Sequence, residues 1–318
     1  MSLRTLLSSF AIFLTVLTSQ TALSSETSDL YFVDAHSQMA RGLDQKTIIP
    51  LMDKAGVWHT ILSARNDRSP QEVAYFAGLH PDRITAAVRS KGKDFINNSQ
   101  KFSMLLRRQT DNPIFRGLAE SILFHAKKGR KAPRIEVKAG SPQNEKLLII
   151  AAHNRWPFVA HYEFAAAGWD KGKFMEQFEA MVDDYPRLPF VLIHMGQLDS
   201  KEARRLIDAH PNIYFMMSHS NPISVASSQS QPWVNMFEGG ALAPDWTTLA
   251  IEHPDRFILA FDNVWPEFWG KFYLDQAALW RTALNKLPPK VAHALAHGNA
   301  ERLWNLPPKP PQHPTSGQ

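Results

Sequence analysis

The chain has 318 residues, a formal net charge of +5, 44% hydrophobic and 20% charged residues, and no cysteine. These values exclude a disordered or fibrous chain. The lack of thiols excludes disulfide scaffolds, iron–sulfur clusters, cysteine–zinc sites and thiol catalysis, so any metal must be held by the 13 histidines and the carboxylates. Positive charge can signal a nucleic-acid partner. Here Lys and Arg are spread along the chain, with Lys127-Lys128-Gly129-Arg130-Lys131 and Arg107-Arg108 the densest runs. No basic stripe alternates with aromatics, so a solvated basic surface and no nucleic-acid partner are expected.

At the N-terminus, Arg4 precedes an apolar stretch over residues 6–17, and the small residues Ala22 and Ser24 follow. Residues 1–24 read as a secretory signal peptide, with an apolar run too short to span a bilayer comfortably; an uncleaved anchor is the rival reading. The mature protein is expected to be exported, periplasmic or secreted, with no stable membrane insertion after signal removal.

Eight strands are predicted next, over residues 31–36, 57–64, 84–89, 115–120, 158–161, 190–194, 213–218 and 257–262. Helical patterns lie at 47–55, 71–79, 144–154, 173–183, 200–209, 245–252 and 274–284. The alternation is marked by a repeat: His80-Pro81-Asp82-Arg83, His210-Pro211-Asn212 and His253-Pro254-Asp255-Arg256 each close a helical stretch and open a β-rich one. Proline cannot continue a helix, and the residue before it is pushed out of the right-handed helical region. Histidine in a last turn also suits the negative helix end. Eight strands alternating with helices predict a single α/β domain, a (β/α)8 TIM barrel over residues 30–306. A doubly wound open sheet is the runner-up, but no glycine-rich phosphate turn follows the first strand. Long insertions follow strands four and seven, the second carrying Trp233, Phe237, Gly239 and Gly240, and residues 307–318 form a Pro-rich tail expected to be disordered.

Barrel enzymes carry their chemistry at the C-terminal ends of the strands. His36 and Gln38 follow strand one, Glu120 ends strand four, His161 strand five, His194 strand six, Ser218 and His219 strand seven, and Asp262 strand eight. A lone histidine at a strand end is ordinarily a hydrogen-bonded loop residue, but several on one rim beside Asp262 suggest a divalent metal. Such a site is expected to bind zinc first among the candidates, with one or two ions. His80, His210 and His253 fall at the opposite end. Glu120 is left open between a metal and a nearby arginine, and Asp34 reads as a supporting residue. Arg65 and Arg68 after strand two, and Arg89 and Lys91 after strand three, are candidates for holding a substrate anion. Trp265, Phe268 and Trp269 could wall an apolar substrate, and His219 is a further substrate contact.

Asp34-Ala35-His36-Ser37-Gln38 resembles the Asp-x-His-x-His opening of the amidohydrolase superfamily. Residues 191–196 (Val-Leu-Ile-His-Met-Gly) resemble its sixth-strand histidine motif, Leu259-Ala260-Phe261-Asp262 its eighth-strand aspartate motif, and Gly298-Asn299-Ala300-Glu301-Arg302-Leu303 the terminal helix of the amidohydrolase-2 branch, which includes aminocarboxymuconate-semialdehyde decarboxylase relatives. The resemblance implies a metal on His36, His161 and Asp262, with His194 binding a second metal or polarising substrate, and Asp262 acting as base. Gln38 departs from it, standing where a second histidine is expected. A strand period of two still puts Gln38 on the face of His36. The expected function is hydrolysis of a small-molecule amide, ester or lactone-like bond through a metal-activated water. A non-oxidative decarboxylase and a non-catalytic binding protein with a degenerate metal site are the alternatives. Monomer and homo-oligomer remain open.

Overall fold

The computed structural model describes residues 30–128, 132–228 and 231–310. The expected signal peptide and residues 311–318 of the tail lie outside them. Eight strands are parallel neighbours: β1 (Phe32–Met39), β2 (Val57–Ala64), β3 (Ile84–Val88), β4 (Phe115–Leu118, resumed as Ser121–His125), β5 (Phe158–Tyr162), β6 (Phe190–Leu192), β7 (Ile213–Met216) and β8 (Phe257–Ile258). The first half of β4 pairs with β3 and its second half with β5. At the break, the Ser90 hydroxyl donates to the carbonyls of Ala119 and Glu120, at 3.1 and 2.9 Å. The last seam runs between β1 and the chain just past β8. There Ala35 N donates to Leu259 O (3.1 Å), Asp262 N to His36 O (2.8 Å) and Gln38 N to Asn263 O (3.0 Å). The sheet thus returns to its first strand, and the fold is a TIM barrel.

The helices form where capping chemistry starts and stops them. Ser69 and Glu72 make a reciprocal capping box at the helix Pro70–Leu79, with proline at its first position, and Asp199 and Glu202 do the same at Ser200–Ala209. Each box satisfies two backbone donors that the first turn leaves free. His80, His210 and His253 are the residues that end three of the helices, so the repeated His-Pro junctions sit at the N-terminal end of the barrel, as expected. The helix Gln100–Thr110, opened by Ser99, was not expected, although Phe102, Leu105 and Leu106 stand at the i, i+3, i+4 spacing of a helical face.

Inside the barrel, Val33, Ala35, Ile61, Ala87, Val159, Val191 and Ala260 belong to one buried cluster, which the C-terminal residues Ala300, Leu303 and Trp304 join. Asn299 anchors that helix by donating to the carbonyls of Pro254 (2.7 Å) and Phe257 (2.8 Å). Gly117 makes room for the indole, since a Cβ there would lie 3.1 Å from the Trp304 ring. The terminal motif therefore has a packing role at the end of the barrel away from the mouth. Of the two insertions, the first sends Ile135–Glu136 back against the end of β4. The second folds a short helix, Pro222–Ser227, and a hairpin turning on Gly239 and Gly240. Their φ values of +54° and +75° suit glycine in a two-residue hairpin turn. No helix among the described residues is long and apolar enough to cross a membrane.

Candidate metal centre at the barrel mouth

Strand direction and period bring the expected side chains to one mouth. His36, Gln38, Glu120, His161, His194 and Asp262 are buried, while His219 and Arg65 are half-buried. β1 runs on to Met39 and does not stop at His36, so both His36 and Gln38 project from the strand; its register slips between Asp34 and Ser37. β6 stops at Leu192, short of the expected residue 194. His194, Met195, Gly196 and Gln197 all have φ between +56° and +62°. His219 (φ 57°) and Asp262 (φ 52°) are also left-handed. For residues other than glycine this conformation costs about 1–2 kcal/mol each, and such strain concentrates at functional sites.

Asp262 is the hub, and its two oxygens are divided. Oδ1 lies 3.4 Å from His36 Nε2 and accepts from Gln38 Nε2 at 3.3 Å. Oδ2 lies 3.5 Å from His194 Nε2 and 3.3 Å from His219 Nε2. The His194 and His219 rings are stacked, with centroids 4.3 Å apart, and Trp233 of the second insertion packs edge-on to both. Ser218 Oγ lies 2.9 Å from His194 Nδ1, which fixes the ring with Nε2 toward the carboxylate. Burial holds His194 well below the usual imidazole range, helped by the neighbouring His219 ring. Burial likewise lowers His219 to about 4. Both rings are therefore neutral at pH 7 and keep a lone pair for a metal. His219, an expected substrate contact, lies against Asp262.

The first-strand side is built differently. The amide nitrogen of Gln38 lies 3.2 Å from His36 Nε2, 3.0 Å from Glu120 Oε1 and 3.3 Å from Asp262 Oδ1. Its oxygen accepts from Arg65 Nη1 at 3.1 Å. Lys91 forms a half-buried ion pair with Glu120 Oε1, so the cation beside Glu120 is a lysine and not the expected arginine. Burial alone would raise the Glu120 carboxyl, but Lys91 and His161 overcome it and hold the group well below the carboxylate range. Asp34 supports this side from beneath. Its carboxylate accepts from Ser37 Oγ (2.5 Å), Phe261 N (2.9 Å) and His36 N (3.3 Å), and burial raises it to about 7.

On the fifth-strand side, His161 Nδ1 lies 2.5 Å from Glu120 Oε2 and Nε2 lies 2.9 Å from Glu163 Oε1. Burial opposes protonation of this ring, but the two carboxylates raise it above the usual imidazole range. Lys128 pairs with Glu163 and lies 3.2 Å from His125 Nε2. Glu163, His125 and Lys128 were not singled out as site residues. The available signal was the two-residue spacing from His161 to Glu163. Among the expected substrate contacts, the Arg65 guanidinium lies over Trp265 at 4.2 Å from the ring centroid. Arg89 donates to the carbonyl of Asn66, and Arg68 pairs with Glu72 and donates to backbone carbonyls of Ala40 and Leu43. Trp269 is buried and donates to the carbonyls of Gln38 and Asn263, both at 3.2 Å, so it braces the β1–β8 seam.

Among the described residues, two groups have donors converging closely enough for a metal: His194, His219 and Asp262, and His125, His161 and Glu163, each with its donor atoms within 4.8 Å of one another. Neutral imidazoles beside a carboxylate fit a divalent ion of the zinc type. Fold and mouth together define a (β/α)8 barrel with a divalent-metal-binding mouth. The Amidohydro_2 profile, described as amidohydrolase, matches residues 99–306, and the chain belongs to that family. No curated protein sequence matches it. Among solved structures it is similar to an uncharacterised TIM-barrel protein from Bordetella bronchiseptica, with TM-score 0.55, 18% identity and 81% of each chain covered. It is also similar to an amidohydrolase from Burkholderia multivorans with bound zinc, with TM-score 0.51, 16% identity, and 87% of this chain and 100% of that one covered. A third is a 4-oxalomesaconate hydratase from Rhodopseudomonas palustris, with TM-score 0.54, 14% identity, and 86% and 95% covered. At these identities the likeness is one of fold.

Proposed function

We propose that the protein is an exported metal-dependent hydrolase that cleaves an amide, ester or lactone-like bond in a small molecule. The observation that carries this reading is the convergence of His36, His194 and His219 on the carboxylate of Asp262, each Nε2 within 3.5 Å of one of its oxygens, at the mouth of an amidohydrolase-family barrel. Asp262 and the imidazoles facing it would hold a divalent ion, zinc being the proposed one. When bound, such an ion polarises a carbonyl and brings the pKa of water to about 7.

The chain's own groups account for the rest. Asp262 takes the proton of the attacking water and returns it to the leaving group. The Gln38 amide on Oδ1 keeps that carboxylate oriented. His194, held by Ser218, faces the reacting carbonyl. Arg65 and Arg89 stand at the β2 and β3 side of the mouth as cations for a substrate carboxylate, and Trp265 beneath Arg65 offers an apolar wall.

The test is hydrolysis by zinc-loaded protein across a panel of lactones, esters and amides. Turnover should stop on chelation, return with zinc, and fall at least about 1,000-fold in Asp262→Asn. Turnover indifferent to chelator, or unchanged in Asp262→Asn, overturns the reading. The Gln38 amide seated among His36, Glu120 and Asp262 favours a second reading, a binding protein with a degenerate centre. A small molecule retained through purification, with no turnover on the panel, would support it.

A further inference from the structure

Three donor clusters meet at this mouth, and two of them already hold a cationic side chain. Lys91 is paired with Glu120 beside His36. Lys128 is paired with Glu163 and lies 3.2 Å from His125 Nε2. The third cluster is His194, His219 and Asp262. Among the described residues, the ion-pair partners of Asp262 are imidazoles alone: His36, His194 and His219.

We propose that the protein holds a single divalent cation on His194, His219 and Asp262, with Gln38 and Lys91 standing in for a cation on the first-strand side. The inference rests on the metal-dependent reading above and specifies its ligands. Distances support it. Donors 2.0–2.1 Å from a tetrahedral zinc ion lie about 3.3–3.4 Å apart, and Asp262 Oδ2 lies 3.3 Å from His219 Nε2 and 3.5 Å from His194 Nε2. Two edges of one face of the coordination shell are thus already close to that spacing, and all three donor atoms lie within 4.8 Å of one another. On the other side, the Gln38 nitrogen occupies the space between His36, Glu120 and Asp262, at 3.0–3.3 Å from each. A cation bonded to all three would have to displace it. The hydrogens of the amide supply positive charge to Asp262 Oδ1 and Glu120 Oε1, and Lys91 neutralises the remaining carboxylate charge. His219 thus supplies the imidazole that position 38 lacks. Backbone conformation points the same way: His194, His219 and Asp262 are all left-handed, whereas His36 and His161 lie within strands. Holding three non-glycine residues in that conformation is costly, and the cost falls on this set.

The test is zinc loading of the full chain, removal of free metal, and elemental analysis, with circular dichroism to confirm folding. The expected result is one equivalent in the wild type, at least about a 100-fold loss of affinity in His219→Ala, and a smaller loss of about 10-fold in His36→Ala, whose ring touches only the outer oxygen of Asp262. His219→Gln repeats the test should the alanine variant fail to fold. The double variant Gln38→His with Lys91→Met should take up a second equivalent. Loss of zinc in His36→Ala with retention in His219→Ala overturns the ligand assignment while leaving metal dependence intact. A double variant that stays at one equivalent overturns the role given to Gln38 and Lys91. A wild type that takes up no zinc overturns this inference together with the hydrolase reading.

Discussion

Replacing Asp34 by alanine should weaken the seam that closes the barrel, because Asp34 joins the first strand to the chain that carries Asp262. Its oxygens accept from Phe261 N at 2.9 Å, His36 N at 3.3 Å and Ser37 Oγ at 2.5 Å, and Ser37 Oγ in turn accepts from Asn263 N at 3.1 Å. Asp34 and Ser37 are fully buried, so water has little access to replace what is lost. An orphaned buried donor costs about 1–3 kcal/mol. The Phe261 bond and the Ser37 bond are the well-formed ones, and the longer contact to His36 adds less. Relief of the burial cost that raises this carboxyl to about 7 offsets part of that, so Asp34→Ala should lose about 2–3 kcal/mol, while Asp34→Asn, which keeps one acceptor oxygen in place, should lose about half of that. Urea unfolding at pH 7 measures both, and amide hydrogen exchange at Phe261 and Asn263 reports whether the loss is local to the seam. A cost below about 1 kcal/mol in Asp34→Ala, with both amides as protected as in the wild type, would refute the argument that this carboxylate holds the seam.

Three further outcomes follow from the same structure. Burial lowers His59 to about 4 from 6.5, so the unfolded chain binds its proton first as pH falls; stability is complete above about 6.5, drops by about 3 kcal/mol by pH 4, and in His59→Gln the urea midpoint should vary less over that window. Gly196 has φ +62°, and a Cβ there would lie 3.2 Å from the Phe164 ring; Gly196→Ala should cost about 1–3 kcal/mol, read as a lowered Tm. Trp304→Ala empties the bottom of the barrel and should cost about 3–5 kcal/mol in urea unfolding, with zinc stoichiometry unchanged because the mouth lies at the other end.

The barrel was legible because its punctuation is local. A His-Pro pair stops a helix wherever it occurs, and a capping box such as Ser69 to Glu72 starts one without reference to distant residues. The strand ends were less legible for a physical reason. At the mouth, inward side chains are polar because they form the site, so the change from apolar to polar that ordinarily ends a strand also marks a functional residue. Ser37 and Gln38 looked like the loop after β1 and are its continuation. The run from Phe190 to His194 reads as uninterrupted strand, although the chain turns left-handed at His194; only Gly196 in that turn is of a type that favours the conformation.

The site divides along the same line. Alternation along a strand fixes which side of the sheet a residue faces, and that was enough to bring His36, Glu120, His161, His194 and Asp262 to one rim. It does not fix which donors meet at 3 Å. That depends on side-chain torsions, on the left-handed residues that swing His194, His219 and Asp262 together, and on cations delivered from elsewhere in the chain. Lys91 pairs with Glu120 from 29 residues away, and Lys128 with Glu163 from 35; neither spacing has a helical or strand period to reveal it. A lysine beside a carboxylate at a rim can hold substrate or neutralise the carboxylate in place, and sequence does not separate the two. The structure does: Lys91 is half-buried and paired with Glu120, so its charge is already committed. On the proposed function, a substrate anion at this mouth would turn to Arg65 and Arg89, and a metal to His194, His219 and Asp262.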